Sequence, residues 1–592
     1  MTAETPVEWS GVGPIMTQGE HIIMGKTTIA GTEYEVSATV NAVSESLDEN
    51  YSVTSSLNFV RNTGTAFVEA IYDVYTEQTD ELALKLTVSG ADGTAVAEKT
   101  VLFTPTAEGG TVSARAELGS GDAEYTVKSQ LVNNTTGAPV TGERMRVINV
   151  SSNYADTADI ALEDGSMFEK SAETGLEYVK SIDVDRLLAP SYEMHGLEAP
   201  NGAERYGGWE RKSANNWTSS GGDETYTLAG HSLGHWMSAA AVLWRETGDE
   251  EVREMLDYAV DKLDELQETT GSGYIGGCEE ETFLKCFAGD SNWANGYWVP
   301  WYGVHKIYQG LLDAYDYTEN TKAFTVLKRF ADWAAEGTAG LSDSQMQSVL
   351  NVEYGGMNEI FARMYEITGD GEYLSTAVRF THNSVLDPLT DGRDELTGLH
   401  ANTQIPKIVG AAEIYEQDPE NHAGYKTAAE NFWHFVNDDR GYVIGGNSIA
   451  EHFETEGAET LGIKTCESCN TYNMMRLTEH LFDWEHDSAY MDWYEKALYN
   501  HILGQQDPDT GAKMYFVSLL QGHHRVYEVK DESWWCCTGT GMENPGRYTR
   551  TAYYEDGDGL YVNLYMPGSY TWEEKGLAFN VETEYPYSEK VK

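Results

Sequence analysis

Apolar and polar residues alternate along the first quarter of the chain, between about residues 15 and 150. The alternating segments include YEVSATVNAV (34–43), LALKLTVSG (82–90), GTVSARAEL (110–118) and YTVKSQLVN (125–133), with turn sequences such as GADG and NNTTG between them. A period of two is typical of strands with one buried face. We therefore predict an N-terminal β-sandwich over residues 1–155, an accessory domain with no catalytic signal.

From about residue 165 the apolar positions follow a helical period. A sequence motif recurs along the chain, here called the hairpin phrase: an aromatic residue ends one predicted helix, a short polar turn follows, and a second helix begins. The copies are WRETGDEEVREML from Trp244, YDYTENTKAFTVL from Tyr315, YEITGDGEYLSTA from Tyr365, YEQDPENHAGYKTA from Tyr415 and FDWEHDSAYMDWY from Phe482. With an opening helix at 168–182 and a closing helix at about 540–553, the pattern predicts twelve helices.

Twelve helices in hairpins of this length form either an open superhelix or a closed (α/α)6 barrel. We favour a barrel over residues 156–555, because the long inserts between hairpins contain the Trp, His and Gly-rich segments that would line one mouth. After residue 555, strand patterns return in GLYVNLYMPG and LAFNVETEYPY. We interpret residues 556–592 as the first strands of a C-terminal β-sandwich and expect the natural protein to continue.

Charge and composition narrow the class of partner. The net charge of −57 repels nucleic-acid phosphates and anionic membranes, and the sequence has no apolar run of about 18 residues. The 37 Tyr and 15 Trp residues suit stacking on a neutral carbohydrate, although solubility alone also explains the acidity. The first residues lack signal-peptide features. We expect an extracellular or cell-surface protein whose signal lies outside this numbering, with a cytosolic location as the alternative.

The six cysteines of the chain all lie between residues 278 and 537. They are Cys278, Cys286, Cys466, Cys469, Cys536 and Cys537. The spacing of the first two predicts a small disulfide-closed loop, which indicates an oxidising compartment. The last two are adjacent in SWWCCTGTG (533–541), ahead of a predicted glycine-rich turn. Neighbouring thiols rarely bridge each other, because the ring that they would close is strained.

The other cysteines have the chemistry of metal ligands. CESCN (466–470) opens a predicted helix, so Glu467 and Cys469 can project together from its N-terminal end, where thiolate and carboxylate are favoured. Together with Cys536 and Cys537 they supply three sulfurs and one carboxylate, a set suited to tetrahedral zinc. Inert buried thiols and disulfides are the alternatives.

Two further sets of residues suit a sugar site. In IGGNSIAEHFETEG (444–457), either Glu451 or Glu454 is a candidate general acid, if the loop is not simply solvated. His231 and His235 in GHSLGHWMSA share one helical face but lack a third metal ligand, so substrate hydrogen bonding is favoured. Three more polar candidates lie in WVPWYGVHKIYQG and GLHANTQIPK: His305, His400 and Asn402. Each is individually consistent with a structural role, and together they suit a sugar pocket.

A series of motifs in this order resembles a known family. The motifs are YGGWE (206–210), GHSLGHWMSA, WVPWYGVHKIYQGLLDAY, GGMNEIFARMYEITGD, GLHANTQIPK, IGGNSIAEHF, CESCNTYNMMRLTEHLF, YEKALYNHIL and WWCCTGTGMENPGRY. They are similar to those of the β-L-arabinofuranosidases of glycoside hydrolase families 127 and 146, closest to the latter. The resemblance extends from about residue 155 to residue 592.

The resemblance implies a fold, a metal and roles for individual residues. It implies an (α/α)6 barrel followed by β-sandwich modules, and Zn²⁺ held by Glu467, Cys469, Cys536 and Cys537. Cys536 matches the family nucleophile. The family acid/base lies sixteen residues before the ligand glutamate, which selects Glu451. Tyr515 matches a tyrosine near the nucleophile, and His305 a sugar-binding histidine.

The resulting expectation is a retaining, exo-acting β-L-arabinofuranosidase that acts on plant arabinose-containing glycans through a glycosyl-cysteine intermediate. Two alternatives stay open. One is a glycosidase of the same mechanism with another sugar specificity, and the other is a glycan-binding protein whose zinc is only structural. In each case the partner is a carbohydrate, and neither nucleic acid nor membrane insertion is expected.

Overall fold

The computed structural model describes residues 8–10, 19–29, 32–42, 44–61, 66–106, 108–119, 123–151, 153–211, 228–556, 559–572 and 575–592. The chain forms two compact units that divide between Ser152 and Asn153. The predicted boundaries at 155/156 and 555/556 stay predictions. In the described part of the chain, no helix is both long enough and apolar enough to cross a membrane.

The first unit consists of antiparallel strands. They are β1 (Glu8–Ser10), β2 (Gly19–Ile29), β3 (Thr32–Ala42), β4 (Ser52–Arg61), β5 (Ala66–Tyr75), β6 (Leu82–Gly90), β7 (Ala95–Phe103), β8 (Gly110–Leu118), β9 (Ala123–Asn133) and β10 (Arg144–Val150). Their sheets have the orders β1-β2-β3, β4-β5-β8 and β10-β9-β6-β7. The prediction of a strand-rich N-terminal region is confirmed, although residue 43, the last of the first quoted segment, lies outside the described residues.

Alternation explains how the last two sheets share a core. Leu82, Leu84, Leu86 and Val88 of β6 are buried at every second position, as a pleated strand requires. They pack in one cluster with buried residues of β4, β5, β8 and β9. In β7 the residues are exposed or only half-buried, as expected for the edge of its sheet.

The second unit is mainly helical. Its α-helices are α1 (Met167–Lys180), α2 (Val184–Met194), α3 (His231–Thr247), α4 (Glu250–Thr270), α5 (Glu280–Phe287), α6 (Pro300–Thr318), α7 (Thr321–Ala339), α8 (Asp343–Val349), α9 (Met357–Thr368), α10 (Gly371–Arg379), α11 (Asn383–Thr390), α12 (Ala401–Gln417), α13 (Ala423–Asn437), α14 (Ser468–Glu485), α15 (Ser488–Ala497), α16 (Leu503–Gln505) and α17 (Cys536–Glu543). A π-helix, Leu498–Ile502, joins α15 to α16.

The five predicted hairpins are confirmed, but the predicted number of helices is wrong. The hairpins are α3–α4, α6–α7, α9–α10, α12–α13 and α14–α15. The described residues contain seventeen α-helices rather than twelve, because the short helices α2, α5, α8, α11 and α16 lie in the connections. The opening helix is α1, close to its predicted bounds.

One helix of each hairpin belongs to a closed cycle of contacts. In the order α3, α6, α9, α12, α14 and α17, each helix contacts the next, and α17 contacts α3 again. The N-terminal ends of several of these helices meet in one cluster of apolar and sulfur side chains, which includes Leu228 before α3, Val299 before α6, and Cys469 and Cys536 within the first turns of α14 and α17. A common meeting point of helix N-termini is where the candidate site lies.

The strands of the second unit join its two ends. They are β11 (Asn153–Tyr154), β12 (Ile160–Leu162), β13 (Tyr553–Asp556), β14 (Gly559–Val562), β15 (Gly568–Trp572) and β16 (Leu577–Val581). β11 pairs with β13, and β12 pairs with β15, in two antiparallel sheets of three strands each. The segment before α1 is therefore held against the segment after α17.

Candidate active site

Four side chains from two distant segments meet in the second unit. The Sγ atoms of Cys469 and Cys537 lie 3.1 Å apart, and those of Cys536 and Cys537 lie 3.8 Å apart. Glu467 Oε1 lies 3.8 Å from the Cys536 sulfur and 3.9 Å from the Cys537 sulfur. Ligand atoms of all four residues lie within 4.8 Å of one another, and all four residues are buried. Three sulfurs and one carboxylate are therefore assembled in space.

Both pairs of residues lie at helix N-termini. Glu467 is the N-cap of α14 and Cys469 lies in its first turn, while Cys536 and Cys537 begin α17. Gln505 holds the two helix ends together, because its Nε2 donates to the Cys537 carbonyl oxygen at 3.0 Å and to the hydroxyl at the first position of α14 at 2.8 Å. The unpaired N–H groups and dipoles of both helices favour ionised ligands here.

The glycine-rich segment after the cysteines is helical, so the predicted turn is wrong. Residues 538–541 belong to α17, and the closing helix accordingly begins at Cys536 rather than near 540. The glycines serve close packing instead of a turn. A Cβ on Gly539 would lie 2.2 Å from Cδ2 of His235 on α3, which is far inside van der Waals contact. The missing side chain lets α17 approach α3 and so fixes the position of the cysteine pair.

The electrostatics of the cluster favour a bound cation. Burial, followed by the neighbouring charge of Glu451, raises the pKa of Glu467 well above its usual range. Burial likewise raises the pKa of the Cys469 and Cys537 thiols, and a hydrogen bond with Cys469 is the main cause that raises the pKa of Cys536. A metal ion would reverse these shifts, since it stabilises the ionised ligands.

The donor set also fits a metal ion chemically. Glu467 Oε2 is buried and has no hydrogen-bond partner among the described residues, so no donor in this part of the chain compensates its desolvation. Thiolates combined with a carboxylate are ligands of soft or borderline cations. The cluster can therefore hold a metal ion.

Glu451 and Tyr515 lie beside the cluster. The Tyr515 hydroxyl donates a hydrogen bond to Glu451 Oε1, and it lies 3.6 Å from the Cys536 sulfur. One phenol thus contacts both the carboxylate and the thiol. Glu451 has a φ of 71°, in the left-handed region, and its carbonyl oxygen accepts a hydrogen bond from the backbone N–H of Ala401 at 2.7 Å. Its carboxyl remains partly accessible, with 27% of the side chain exposed.

Glu454, the other candidate acid, is engaged elsewhere. Its Oε2 accepts hydrogen bonds from the Tyr442 hydroxyl at 2.8 Å and from the backbone N–H of Thr460 at 3.2 Å. These hydrogen bonds lower its pKa against the effect of burial. Both partners belong to its own loop, which indicates that Glu454 stabilises the loop.

The predicted pocket residues on α12 have different surroundings. His400 is the N-cap of α12, and its Nε2 lies 3.9 Å from Glu451 Oε2, so it borders the site. Asn402 is buried, and its Oδ1 accepts a hydrogen bond from Asn473 Nδ2 on α14 at 2.8 Å. The contacts of Asn402 therefore link two helices of the cycle.

The other predicted histidines are buried. The Nδ1 of His231 lies 2.8 Å from Glu210 Oε1, and the Nδ1 of His235 lies 2.6 Å from Glu543 Oε1. Burial lowers the pKa of His235 to about 4 despite that carboxylate. His305 packs against the backbone at 355–356, and neither of its ring nitrogens has a partner among the described residues. Their roles in sugar binding stay predictions.

Sequence reasoning expected Trp-containing segments at the site but named none of the aromatic residues that form its wall. Trp209 and Tyr302 belong to the same apolar cluster as the three cysteines, and Trp298 and Trp535 pack against it. All four lie in motifs that carry the family resemblance, YGGWE, WVPWYGVHKIYQGLLDAY and WWCCTGTGMENPGRY. Their position in the sequence, next to the candidate ligands and histidines, was the signal from which the wall could have been predicted. Such a wall suits a sugar and keeps the sulfurs away from bulk water.

The remaining cysteines do not form the predicted disulfide. Cys278, Cys286 and Cys466 are free and buried. The Cys278 sulfur lies 3.1 Å from the Tyr274 hydroxyl, whereas Cys286 lies on α5 near Trp301. The short spacing suggested a closed loop, but α5 begins between the two residues and directs them to different neighbours.

Comparisons with known proteins agree on one family. The family model described as β-L-arabinofuranosidase, GH127 catalytic domain, matches residues 159–550. A solved GH127 β-arabinofuranosidase is similar with a TM-score of 0.55 and 16% identity, over 74% of this chain and 68% of its own. A GH127 β-L-arabinofuranosidase from Geobacillus stearothermophilus T6 gives a TM-score of 0.53 and 16% identity, over 73% and 72%. At such identities the likenesses show a shared fold. None of the curated protein sequences matches this chain.

Proposed function

Because the chain belongs to the β-L-arabinofuranosidase family GH127 of glycoside hydrolases, we propose that it is a retaining, exo-acting β-L-arabinofuranosidase. Its substrates are plant glycans that carry terminal β-L-arabinofuranose. The observation that carries the proposal is the Tyr515 hydroxyl, which contacts both Glu451 and Cys536 and so brings an acid and a sulfur nucleophile to one point. The closer resemblance to family 146 stays a prediction.

The same proposal covers the architecture. The cycle α3, α6, α9, α12, α14 and α17 is the inner ring of an (α/α)6 barrel, and the second helices of the hairpins lie outside it. Support comes from the contact of α17 with α3 and from the shared position of the helix N-termini. The paired sheets of the first unit form a β-sandwich, which is supported by their common core.

We assign Glu467, Cys469, Cys536 and Cys537 as the ligands of a zinc ion. The donor set of three sulfurs and one oxygen matches the ligand preferences of Zn²⁺. The carboxylate oxygen of Glu467 that has no partner among the described residues also supports the assignment of a cation to this site. When bound, the ion supplies electrostatic stabilisation of the Cys536 thiolate, a nucleophile that burial alone disfavours.

The protein's own groups carry out two displacements. Cys536 sulfur attacks the anomeric carbon, the glycosidic C–O bond breaks, and the leaving oxygen takes a proton from Glu451. The resulting glycosyl-cysteine is then attacked by water, which gives its proton to Glu451 while the C–S bond breaks and the thiolate returns. Each displacement inverts the anomeric carbon, so configuration is retained overall.

The neighbouring residues orient these groups. Tyr515 donates a hydrogen bond to Glu451 and so keeps the carboxyl directed toward the sulfur. His400 lies on the other side of Glu451, at 3.9 Å, and with His231, His235, His305 and Asn402 we assign it to sugar binding. Trp209 and Tyr302 supply the aromatic wall.

The test combines activity and metal content on one sample. A panel of p-nitrophenyl glycosides should show release from the β-L-arabinofuranoside, with one zinc ion per chain by elemental analysis. Cys536→Ser should abolish release, whereas Cys286→Ser, which alters a buried thiol outside the cluster, should leave activity and metal unchanged. Turnover of another furanoside or pyranoside instead would mean that the enzyme is specific for another sugar. Binding without any turnover would favour a non-catalytic role.

The acid/base assignment has its own signature. Glu451→Ala removes the proton donor, but p-nitrophenolate leaves without protonation, so the first displacement should survive and the glycosyl-enzyme should accumulate. Added azide should then restore turnover and yield a β-configured arabinofuranosyl azide. The matched variant Glu454→Ala should retain full activity and give no azide product.

A further inference from the structure

A cleft of about 450 Å³ lies on the outer surface of the helical unit, between the end of α4 and the middle of α7. Its volume is in the range of ligand pockets, about 300–1,000 Å³. The residues that matter to its chemistry are Gln267, Ser272, Arg329, Asp332, Trp333 and Glu336. None of them belongs to the catalytic cluster or to its aromatic wall.

Trp333 gives the cleft a fixed aromatic surface. Its indole N–H donates to Glu280 Oε1 at 2.9 Å, and the same oxygen accepts a hydrogen bond from the Ser272 hydroxyl at 2.8 Å. The ring packs against Tyr274 and Phe287, with centroids 4.8 and 5.1 Å away. The indole is only half-buried and lines the cleft. A rigid, partly exposed indole binds the apolar C–H face of a sugar at low entropic cost.

Polar groups flank the indole at helical spacing. Arg329 and Asp332 lie four and one residues before Trp333, and Glu336 lies three residues after it. Arg329 uses one guanidinium nitrogen in an ion pair with Asp264 at 2.8 Å, and its side chain is 40% exposed. A guanidinium has five N–H donors in a planar fork, which matches pairs of neighbouring hydroxyls.

Gln267 forms the inner part of the cleft. Its Nε2 donates to the carbonyl oxygens of Gly273 and Val326, at 2.9 and 3.1 Å. The residue is only 3% exposed, and its Oε1 is buried without a hydrogen-bond donor among the described residues. A buried acceptor without a donor is unfavourable. One residue that lines the cleft thus has a side-chain oxygen without a donor in the described part of the chain.

The charges of the cleft select against anions. Glu268, Asp332 and Glu336 line it against the single cation Arg329, on a chain whose net charge is −57. A phosphate or a uronate would be repelled. Among the described residues, none of the groups that could hold a metal ion includes a residue of this cleft. A neutral, polyhydroxylated ligand fits best.

The cleft lies toward the same end of the helices as the catalytic cluster. The segment 271–277 follows α4, and its first three residues, 271–273, form one wall of the cleft. At its other end, a Cβ on Gly277 would lie 2.2 Å from the carbonyl oxygen of Ala229, two residues before α3 begins. One short segment therefore borders the cleft and also packs against the residues leading to His231.

We propose that this cleft is a second carbohydrate-binding site, which holds a neutral sugar unit of the glycan outside the catalytic centre. The proposal rests on the proposed function for the identity of the sugar. A site of this kind keeps a branched polymer near the catalytic end without taking part in bond cleavage, and it raises the effective concentration of terminal residues.

The test separates binding from turnover. The double variant Arg329→Ala/Glu336→Ala removes the polar walls, both at surface positions, and leaves the aromatic packing intact. Its matched control is Arg393→Ala/Glu395→Ala, an exposed pair of the same residue types with side chains 51% and 57% exposed. Each is made in a Glu451→Gln background, and a short neutral arabino-oligosaccharide is titrated by calorimetry. Trp333→Phe, which keeps a ring, serves as a second probe of the aromatic surface.

Two binding events are expected in the control, and the cleft variant should weaken one of them at least tenfold while the other is unchanged. Trp333→Phe should weaken the same event. In the Glu451 wild-type background, all these variants should hydrolyse the p-nitrophenyl substrate equally, while the cleft variants release arabinose from polymer several-fold more slowly. A single binding event in the control, or equal binding by the cleft variant, would overturn the proposal. Failure of aryl-glycoside hydrolysis in the wild type would instead overturn the proposed function and leave the binding result standing.

Discussion

Replacing Gly539 by alanine tests whether the position of α17 sets the geometry of the active site. A Cβ at this position would lie 2.2 Å from Cδ2 and 2.4 Å from Cγ of His235. An ordinary carbon–carbon contact begins near 3.5 Å, so the helix or the ring must move by more than about 1 Å. The ring cannot rotate away freely, because its Nδ1 lies 2.6 Å from Glu543 Oε1 and both residues are buried.

The size of the effect follows from these contacts. Overpacking of a buried contact costs about 1–3 kcal/mol. If the His235 ring moves instead, its buried hydrogen bond to Glu543 is lost, at a cost of about 1.5–3 kcal/mol. We therefore expect Gly539→Ala to destabilise the helical unit by about 2–4 kcal/mol. A shift of about 1 Å in Cys536 and Cys537 should also lower kcat on the aryl arabinofuranoside about 100-fold.

The assay compares apparent Tm, kcat and metal content with those of two matched glycine variants. Gly371→Ala and Gly504→Ala introduce the same methyl group where no heavy atom lies within 4 Å of the new Cβ, so both should keep wild-type stability and activity. Gly539→Ala should lower all three quantities. Unchanged Tm and kcat in Gly539→Ala would refute the reasoning, because they would mean that α17 and His235 separate without consequence.

Two further predictions concern the acid/base and the response to acid. Tyr515→Phe removes the hydroxyl between Glu451 and Cys536 and should lower kcat about 10–100-fold with metal content unchanged. The control variant Tyr527→Phe should have no effect. Equal kcat values for the two variants would contradict the role assigned to Tyr515. Burial lowers the pKa of His501 to about 3. Below about pH 6.5 the unfolded state therefore binds a proton that the folded state does not. The free energy of unfolding consequently falls as the pH decreases toward 3. His501→Gln should reduce the loss of apparent Tm between pH 7 and 4, and the exposed His434→Gln should not; identical profiles for the two variants would contradict this account.

The helical hairpins were predictable because their signal is local. In four of the five phrases, the N–H of the helix C-cap donates to the carbonyl oxygen of the aromatic anchor. These anchors are Trp244, Tyr315, Tyr365 and Phe482. The following Asp or Asn then accepts a hydrogen bond from the first turn of the next helix. One short sequence thus specifies both the end of one helix and the start of the next.

The pairing of the chain ends was not predictable from sequence. Strands β11 and β12 contain two and three residues, and their partners follow roughly 400 positions later. So short a segment carries no period, and its pairing depends on the folded helices between. The short helices in the connections were missed for a similar reason, since four of the five contain eight residues or fewer.

The candidate site shows the same division between local and tertiary information. Residue types at CESCN and WWCC indicated the ligands, because sulfur and carboxylate chemistry is a property of the side chains themselves. The choice between Glu451 and Glu454 could not be made from the residues, since both lie in one loop. It depends on which carboxyl contacts Tyr515, and that contact joins the loop to a segment more distant along the chain, whereas Tyr442 belongs to the loop itself.

Backbone strain is concentrated where the proposed chemistry occurs. Eight residues other than glycine have positive φ in the described chain, and five of them lie in the segments that build the site: Ser448, Ala450, Glu451, Cys466 and Trp534. Cys466 directly precedes the ligand Glu467, and Trp534 lies two residues before the ligand Cys536. Each such conformation costs about 1–3 kcal/mol, so it persists only where surrounding contacts impose it. Contacts of this kind exist here, such as Ala401 N–H to the Glu451 carbonyl oxygen at 2.7 Å and Gln505 to both helix ends. The site is therefore held in its geometry before substrate arrives. Such preorganisation is needed if the sulfur is to attack the anomeric carbon while the carboxylic acid protonates the leaving oxygen on its other side.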